Sequence, residues 1–172
     1  MTKIPQAVNR FNMYKKSEKL IGITSEVELP SVTQLTDEME GAGTGGKMEV
    51  VIIGLTENME MKIPFMSLSK DMFSMANPND SPDLTLRGSI QGMDPATGKV
   101  VYTSMAIYVR GTVKELVPGK AKAGAKMESS ITLTLNYYKI TLDGETAIEI
   151  DKLNGVYIVN GEDVLKEVRD MC

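Results

Sequence analysis

Apolar and polar residues alternate along most of this chain with the two-residue period of half-buried strands, and only two short windows switch to the helical period. FNMYK (11–15), a polar turn SEK and LIGITSEVEL (20–29) predict a hairpin over residues 11–29. Pro30 and the polar run SVTQLTDEMEGAGTGG follow, so residues 30–46 predict an excursion away from the sheet, with a protruding loop of about 30–48. KMEVVIIGLTENMEMKIPF (47–65) predicts two strands that turn near Glu57 and Asn58. In SLSKDMFSMANP, Leu68, Met72 and Met75 fall at helical spacing, with Ser67 or Ser69 as cap and Pro78 as stop.

Strands resume at DLTLRGSIQGM (83–93), which turns through DPATGK into VVYTSMAIYVRGTVKEL (100–116). VPGKAKAGAKME (117–128) reads as a Gly/Pro/Lys loop. ESSITLTLNYYKITL (128–142) alternates Ile131, Leu133 and Leu135 against Thr132, Thr134 and Asn136. Asp143-Gly144 signals a hairpin turn before ETAIEIDKL and GVYIV. A short C-terminal helix closes the chain, with Asn160 as cap and Val164, Leu165, Val168 and Met171 on one side. This is a mainly β chain with two short helices, read as one domain over residues 1–172. Helices and strands do not alternate as a doubly wound fold requires.

Composition narrows the chemistry. At 172 residues, 42% of them hydrophobic, the chain is long enough for one real core. Thirteen Met and no Trp imply a core whose gaps are filled by flexible thioethers. There is no His, which removes the commonest metal ligand and general base, and with it Ser-His-Asp or Cys-His catalysis. Cys172 is the only cysteine, so no intramolecular disulfide forms. MTKIPQAVNRF lacks the apolar run of a signal peptide and no segment reaches membrane-spanning length; the expectation is a soluble protein made in a cytosol, with no membrane anchor. A net charge of −4 does not suit a protein that grips nucleic acid by its phosphates. It suits a wall past which an anion slides.

EGAGTGGKMEV (40–50) holds two nucleotide-binding patterns: Gly41, Gly43 and Gly46 spell G-x-G-x-x-G, and Gly41 to Lys47 spell most of a P-loop. Both need a buried strand before the glycines and a helix after them, whose free N–H groups hold the phosphate. Here the acidic TDEME precedes and the β-branched MEVVIIGL follows, and Met48 stands where the P-loop needs Ser or Thr. The cluster therefore reads as a Gly-hinged tip on a long loop, ordered by a neighbouring molecule. Glu149 and Asp151 lie two apart on one strand face, but nothing in the sequence completes a catalytic or metal-binding set around them, and Lys152 is adjacent; they read as salt-bridged surface residues. Lys114, Lys120, Lys122 and Lys126 form a basic patch around a loop, open between plain solvation and docking to an acidic protein partner. No cofactor, metal or enzymatic activity is expected.

Three stretches together resemble a known family: VELPSVTQLTDEMEGAGTGGKMEV (27–50), LTLRGSIQGMDPATGK (84–99) and NYYKITLDGETAIEIDKLNGVYIVNGEDVLKEVRD (136–170). The last is the most specific, with Asp143-Gly144, Glu149 to Lys152, Asn154, Val159 to Gly161, Asp163 and Arg169 in order. The family is that of the major tail tube proteins of contractile-tailed phages and the related R-type bacteriocins. The run Thr44-Gly45-Gly46-Lys47 departs from the family's pattern at the loop tip. The resemblance implies a β-sandwich or barrel-like tail tube fold with one flanking short helix, a C-terminal short helix and a long extended loop. It also implies hexameric rings stacked into a hollow tube that is driven through the target cell envelope and can conduct DNA. Implied partners are copies of the chain itself, the tail sheath protein, baseplate and tube-initiator proteins, a tape measure protein in the lumen and DNA in transit. Assembly would take place in the bacterial host cytoplasm, and the product would be a virion or a released particle.

On this reading Thr36, Asp37, Glu38, Glu40, Gly41, Gly43, Gly46 and Lys47 make contacts between subunits or rings, and Lys120, Lys122 and Lys126 face the sheath. A DNA-free R-type bacteriocin or related contractile injection system is the alternative within the family. A monomeric β-barrel ligand-binding module is the rival outside it, and a nucleotide-dependent enzyme through residues 41–47 is the third.

Overall fold

The computed structural model describes residues 3–41, 43 and 45–172. Eleven strands and two short helices follow one another among them. In chain order they are β1 (Ile4–Lys15), β2 (Glu18–Lys19), β3 (Gln34–Met39), β4 (Met48–Thr56), β5 (Met59–Phe65), α1 (Lys70–Ser74), β6 (Asp83–Met93), β7 (Val100–Val117), β8 (Ser129–Leu142), β9 (Glu145–Asp151), β10 (Val156–Val159), β11 (Glu162–Asp163) and α2 (Lys166–Met171). The main sheet runs β11-β10-β9-β8-β7-β6-β1-β2, with β5 also paired to β8, while β3 and β4 form a separate two-stranded ribbon. Every pairing is antiparallel.

β8 is the hub. β7 follows one of its edges from Ser130 to Leu142, while the other edge is shared: β5 takes Ser129–Leu135 and β9 takes Tyr137–Leu142. Asn136, at the hand-over, is skipped in the pairing with β7, where Leu135 faces Gly111 and Tyr137 faces Arg110. This one-residue bulge switches the core-facing parity of β8 from Ile131, Leu133 and Leu135 to Tyr138. Gly111 is required at the crossing, because a Cβ there would stand 2.0 Å from the Thr134 carbonyl oxygen. The polar set Thr132, Thr134 and Asn136 is not fully open to solvent. Thr132 is buried, and the Asn136 side-chain oxygen is buried without a hydrogen-bond partner.

The core lies on one face of the sheet and is rich in Met, as the composition predicts. Met13, Met59, Met61, Met72 and Met75 are all buried with Phe65, Ile63, Ile131 and Leu133. α1 and the irregular segment 20–33 cover this face through Met72, Met75, Leu20, Ile23, Val27 and Val32. Ser69 caps α1, its hydroxyl accepting from the Met72 N–H.

Three expectations need correction. The hairpin over 11–29 is reduced to two pairs, Tyr14 with Lys19 and Lys15 with Glu18; β1 pairs along its length with β6 instead. Beyond β2, Gly22 at φ +92 turns the chain so that Leu20 and Ile23 go under the sheet. Residues 30–48 are not an unstructured loop, since β3 pairs with β4 from Gln34–Thr56 to Met39–Met48. The carboxylates of TDEM stay in solvent on the ribbon and so do not oppose a strand. Asn160 does not cap the C-terminal helix. Asn160 at φ 50 and Gly161 at φ 81 turn the chain from β10 into β11, and α2 starts after Leu165 without a side-chain cap.

Candidate functional site

The β3–β4 ribbon stands off the main sheet and is held only near its base. There the Lys152 ammonium donates to two backbone carbonyls, Thr56 O at 3.2 Å and Glu57 O at 2.6 Å. Gln34 Nε2 donates to the Tyr157 hydroxyl at 2.7 Å. Glu57 N donates to Thr33 O at 2.8 Å, closing the base. Gly54, at φ +84, lets the Leu165 side chain lie across β4; a Cβ there would be 2.3 Å from Leu165 Cδ2. The ribbon is thus clamped to β9, β10 and α2 by one ammonium, one phenol and one leucine.

Beyond this clamp the ribbon is largely open among the described residues, with Ile52, Ile53 and Leu55 lining a cleft of about 500 Å³ opposite Val156, Leu165 and Val168. Val51 is 52% exposed, Ile53 65% and Leu55 53%, and Ile52 between them is also exposed, so both faces of β4 present apolar side chains to water. Met39 and Met48 pair across the far end, both exposed. A strand apolar on both faces is the pattern of one covered on both sides. A lone two-stranded ribbon is marginally stable in water. Folding alone does not account for such a surface.

The expected contact residues divide along this ribbon. Thr36, Asp37 and Glu38 lie on β3, Glu40 just past it, and Gly41, Gly43, Gly46 and Lys47 in the connection to β4. Thr44 lies outside the described residues. Gly43 and Gly46 have positive φ, +100 and +137, with open space where a side chain would stand. The glycines make a turn between strands, the opposite of the strand-to-helix setting that holds a phosphate. Lys47 reaches Glu38 at 3.4 Å. Sequence reasoning missed the apolar residues of β4, although the signal was present in VVIIGL.

Elsewhere several titratable side chains are held in structural roles. Glu149 takes a hydrogen bond from the Tyr137 hydroxyl at 2.9 Å and an ion pair from Lys139 at 3.2 Å. Asp151 accepts from the Leu153 and Asn154 backbone N–H groups and fastens the β9–β10 turn. Burial, and secondarily the Glu149 carboxylate, pushes the Tyr137 phenol well above its ordinary pKa. Arg169 bonds Asp163 through its guanidinium and holds that carboxyl below the usual range, fixing α2 to the turn ahead of it. Lys114 sits on β7 and pairs with Glu60, apart from the loop that carries Lys120, Lys122 and Lys126, all exposed. No cluster of three or more metal-ligating side chains occurs among the described residues, and no helix is long and apolar enough to cross a membrane.

Comparison with known proteins gives a consistent set. The family model for phage tail tube protein FII matches residues 5–171. The chain is similar to the tail tube protein of Escherichia phage P2, 29% identical over 171 residues that cover 96% of both chains. It is also similar to the major tail tube protein of Serratia phage KSP20, 26% identical and covering 94% of this chain and 91% of that one. Among solved structures it resembles a chain in the sheath/tube terminator of the extracellular contractile injection system PVC in its extended state. That match has a TM-score of 0.55 at 16% identity and covers 82% of this chain and 99% of the other, a likeness of fold.

Proposed function

Because the chain belongs to the phage tail tube protein FII family and is a tail tube subunit, we propose that its copies close into six-membered rings that stack into the hollow tube of a contractile tail. The observation that supports this most is the β3–β4 ribbon: a projecting element, held at its base, whose apolar side chains are left largely exposed by the described residues of their own subunit. In a ring the neighbour supplies that cover, and strand edges left open in one copy meet those of the next. Thr36, Asp37, Glu38, Glu40, Gly41, Gly43, Gly46 and Lys47 then lie at contacts between subunits or rings.

The role is mechanical and non-enzymatic: sheath contraction drives the tube through the target envelope, and DNA passes down it where the particle carries any. Lys120, Lys122 and Lys126 face the sheath, the lumen holds a tape measure protein during assembly in the host cytoplasm, and a baseplate with its initiator starts the first ring. Deleting residues 38–47 is expected to leave a folded subunit that forms no tube under conditions where the wild type does. Circular dichroism and negative-stain microscopy read the two properties separately, and normal tubes from the deletion would sink the assignment of the ribbon.

A further inference from the structure

The ribbon needs a receiving surface, and one groove on the molecule has matching chemistry. It runs between β1 and the segment that follows β2, has a volume of about 610 Å³ and is lined by the apolar side chains of Val8, Phe11, Ile21 and Met66. Ile21 is 73% exposed and Val8 52%, so the groove is apolar surface left open to water. Beside it, from Ile4 to Asn12, the edge of β1 facing away from β6 pairs with no strand among the described residues. That edge offers backbone donors and acceptors to an incoming strand.

Charge distinguishes the occupant. Arg10 and Lys19 line the groove, and neither has an ion-pair partner among the described residues. The exposed Lys16 sits in the turn next to it, with Glu18 and Asp71 as the opposing charges nearby. The outer part of the ribbon carries the reverse: Asp37, Glu38, Glu40 and Glu49 against Lys47 alone. Glu38 and Glu49 stand directly opposite each other across the two strands; Lys47 pairs with Glu38, and Glu49 has no ion-pair partner among the described residues. Apolar side chains and acidic groups on the ribbon thus meet apolar lining and basic groups in the groove.

Position completes the case. The ribbon is clamped to β9, β10 and α2, toward one end of the strand order, and the groove lies along β1 toward the other end. We infer that the β3–β4 ribbon of one copy docks in the β1 groove of the next, so that each subunit carries a plug at one side of its sheet and the matching socket at the other. Such a contact is heterologous and propagates from copy to copy until a ring closes. This rests on the tube reading, and it adds the identity of the receiving surface.

Charge exchange tests it. One variant carries Arg10→Glu and Lys19→Glu, the other Glu40→Lys and Glu49→Lys; the second leaves Glu38 facing a cation, so its ribbon stays paired. Each variant alone is expected to stay dispersed, with wild-type circular dichroism and melting, under conditions where the wild type forms tubes. Mixed in equal amounts, the two are expected to recover tubes in sedimentation and negative-stain microscopy, because every contact in an alternating ring is again between opposite charges. A folded but inert mixture beside wild-type tubes overturns this contact alone, as do wild-type tubes from either variant by itself. Wild-type protein that never forms tubes removes the tube reading and the contact with it.

Discussion

Single residues decide where the sheet bends and where its polar groups settle. The strict alternation of β8 is legible in the sequence as far as Leu135, but the insertion of Asn136 is not, because a bulge is fixed by the partner strand. Gly111 is that partner's contribution, and nothing next to it in sequence marks it as the point where a side chain would run into the Thr134 carbonyl of β8. The Glu149–Asp151 spacing invites a reading as a catalytic pair, and the expectation of ordinary ion pairing holds for Glu149 with Lys139. The unanticipated member is Tyr137, which pairs with Asp151 across β8 and β9 and donates its hydroxyl hydrogen bond to Glu149. Its raised pKa has a testable sign. Below about pH 10 the phenol is protonated in folded and unfolded chains alike; above it the unfolded chain releases the proton first, so the contribution of Tyr137 to stability is lost as pH rises. Chemical denaturation of wild type and Tyr137→Phe from neutral to alkaline pH is expected to show the wild-type advantage shrinking above about pH 10. An advantage that stays constant or grows would contradict the direction of the shift.

At the scale of elements, strands with plain alternation and strong turns were readable, among them β6, β7, β9 and both edges of the Asp143-Gly144 turn. Residues 30–48 were not. Their composition is that of a loop, and only the tertiary offer of β4 as a pairing partner makes residues 34–39 a strand. The same tertiary control places α2, just ahead of which the Leu165 side chain bears on Gly54 of β4. Shortening that side chain should therefore loosen an element more than a hundred residues away in sequence. In Leu165→Ala the amides of β3 and β4 are expected to exchange with deuterium at least several-fold faster, with β6, β7 and β8 unchanged. Exchange that rises evenly over the whole sheet would mean that Leu165 supports the core rather than the ribbon.

The whole molecule separates its jobs by location. The core is shut behind α1 and residues 20–33, the ribbon and the β1 groove lie toward opposite ends of the strand order, and the Lys120–Lys126 loop extends from the end of β7. That loop closes on itself through Lys120 N to Met127 O and is tied to the body through Met127 N to Met66 O, neither bond made by a lysine side chain, so its lysines can be changed without disturbing the core. Replacing Lys120, Lys122 and Lys126 with Glu is expected to spare tube formation and weaken co-assembly with the sheath protein, measured by co-sedimentation of the two. An undiminished sheath would move the sheath contact elsewhere. Family membership was legible because it is written over nearly the whole chain, whereas the contact surfaces were not, because they join residues such as Val8 and Ile21 that no local motif connects.

The clamp at the ribbon's base has a consequence for how salt acts. Lys152 is held by carbonyl dipoles at close range, with no carboxylate among those partners, so dissolved ions screen it little. The acidic flank of the ribbon and the cations of the groove lie in solvent, where screening is strong. Rising ionic strength therefore slows the encounter of subunits while leaving the angle between ribbon and sheet unaltered. Tubes grown in dilute buffer and in brine are therefore expected to lengthen at different rates and to share one diameter in negative-stain microscopy.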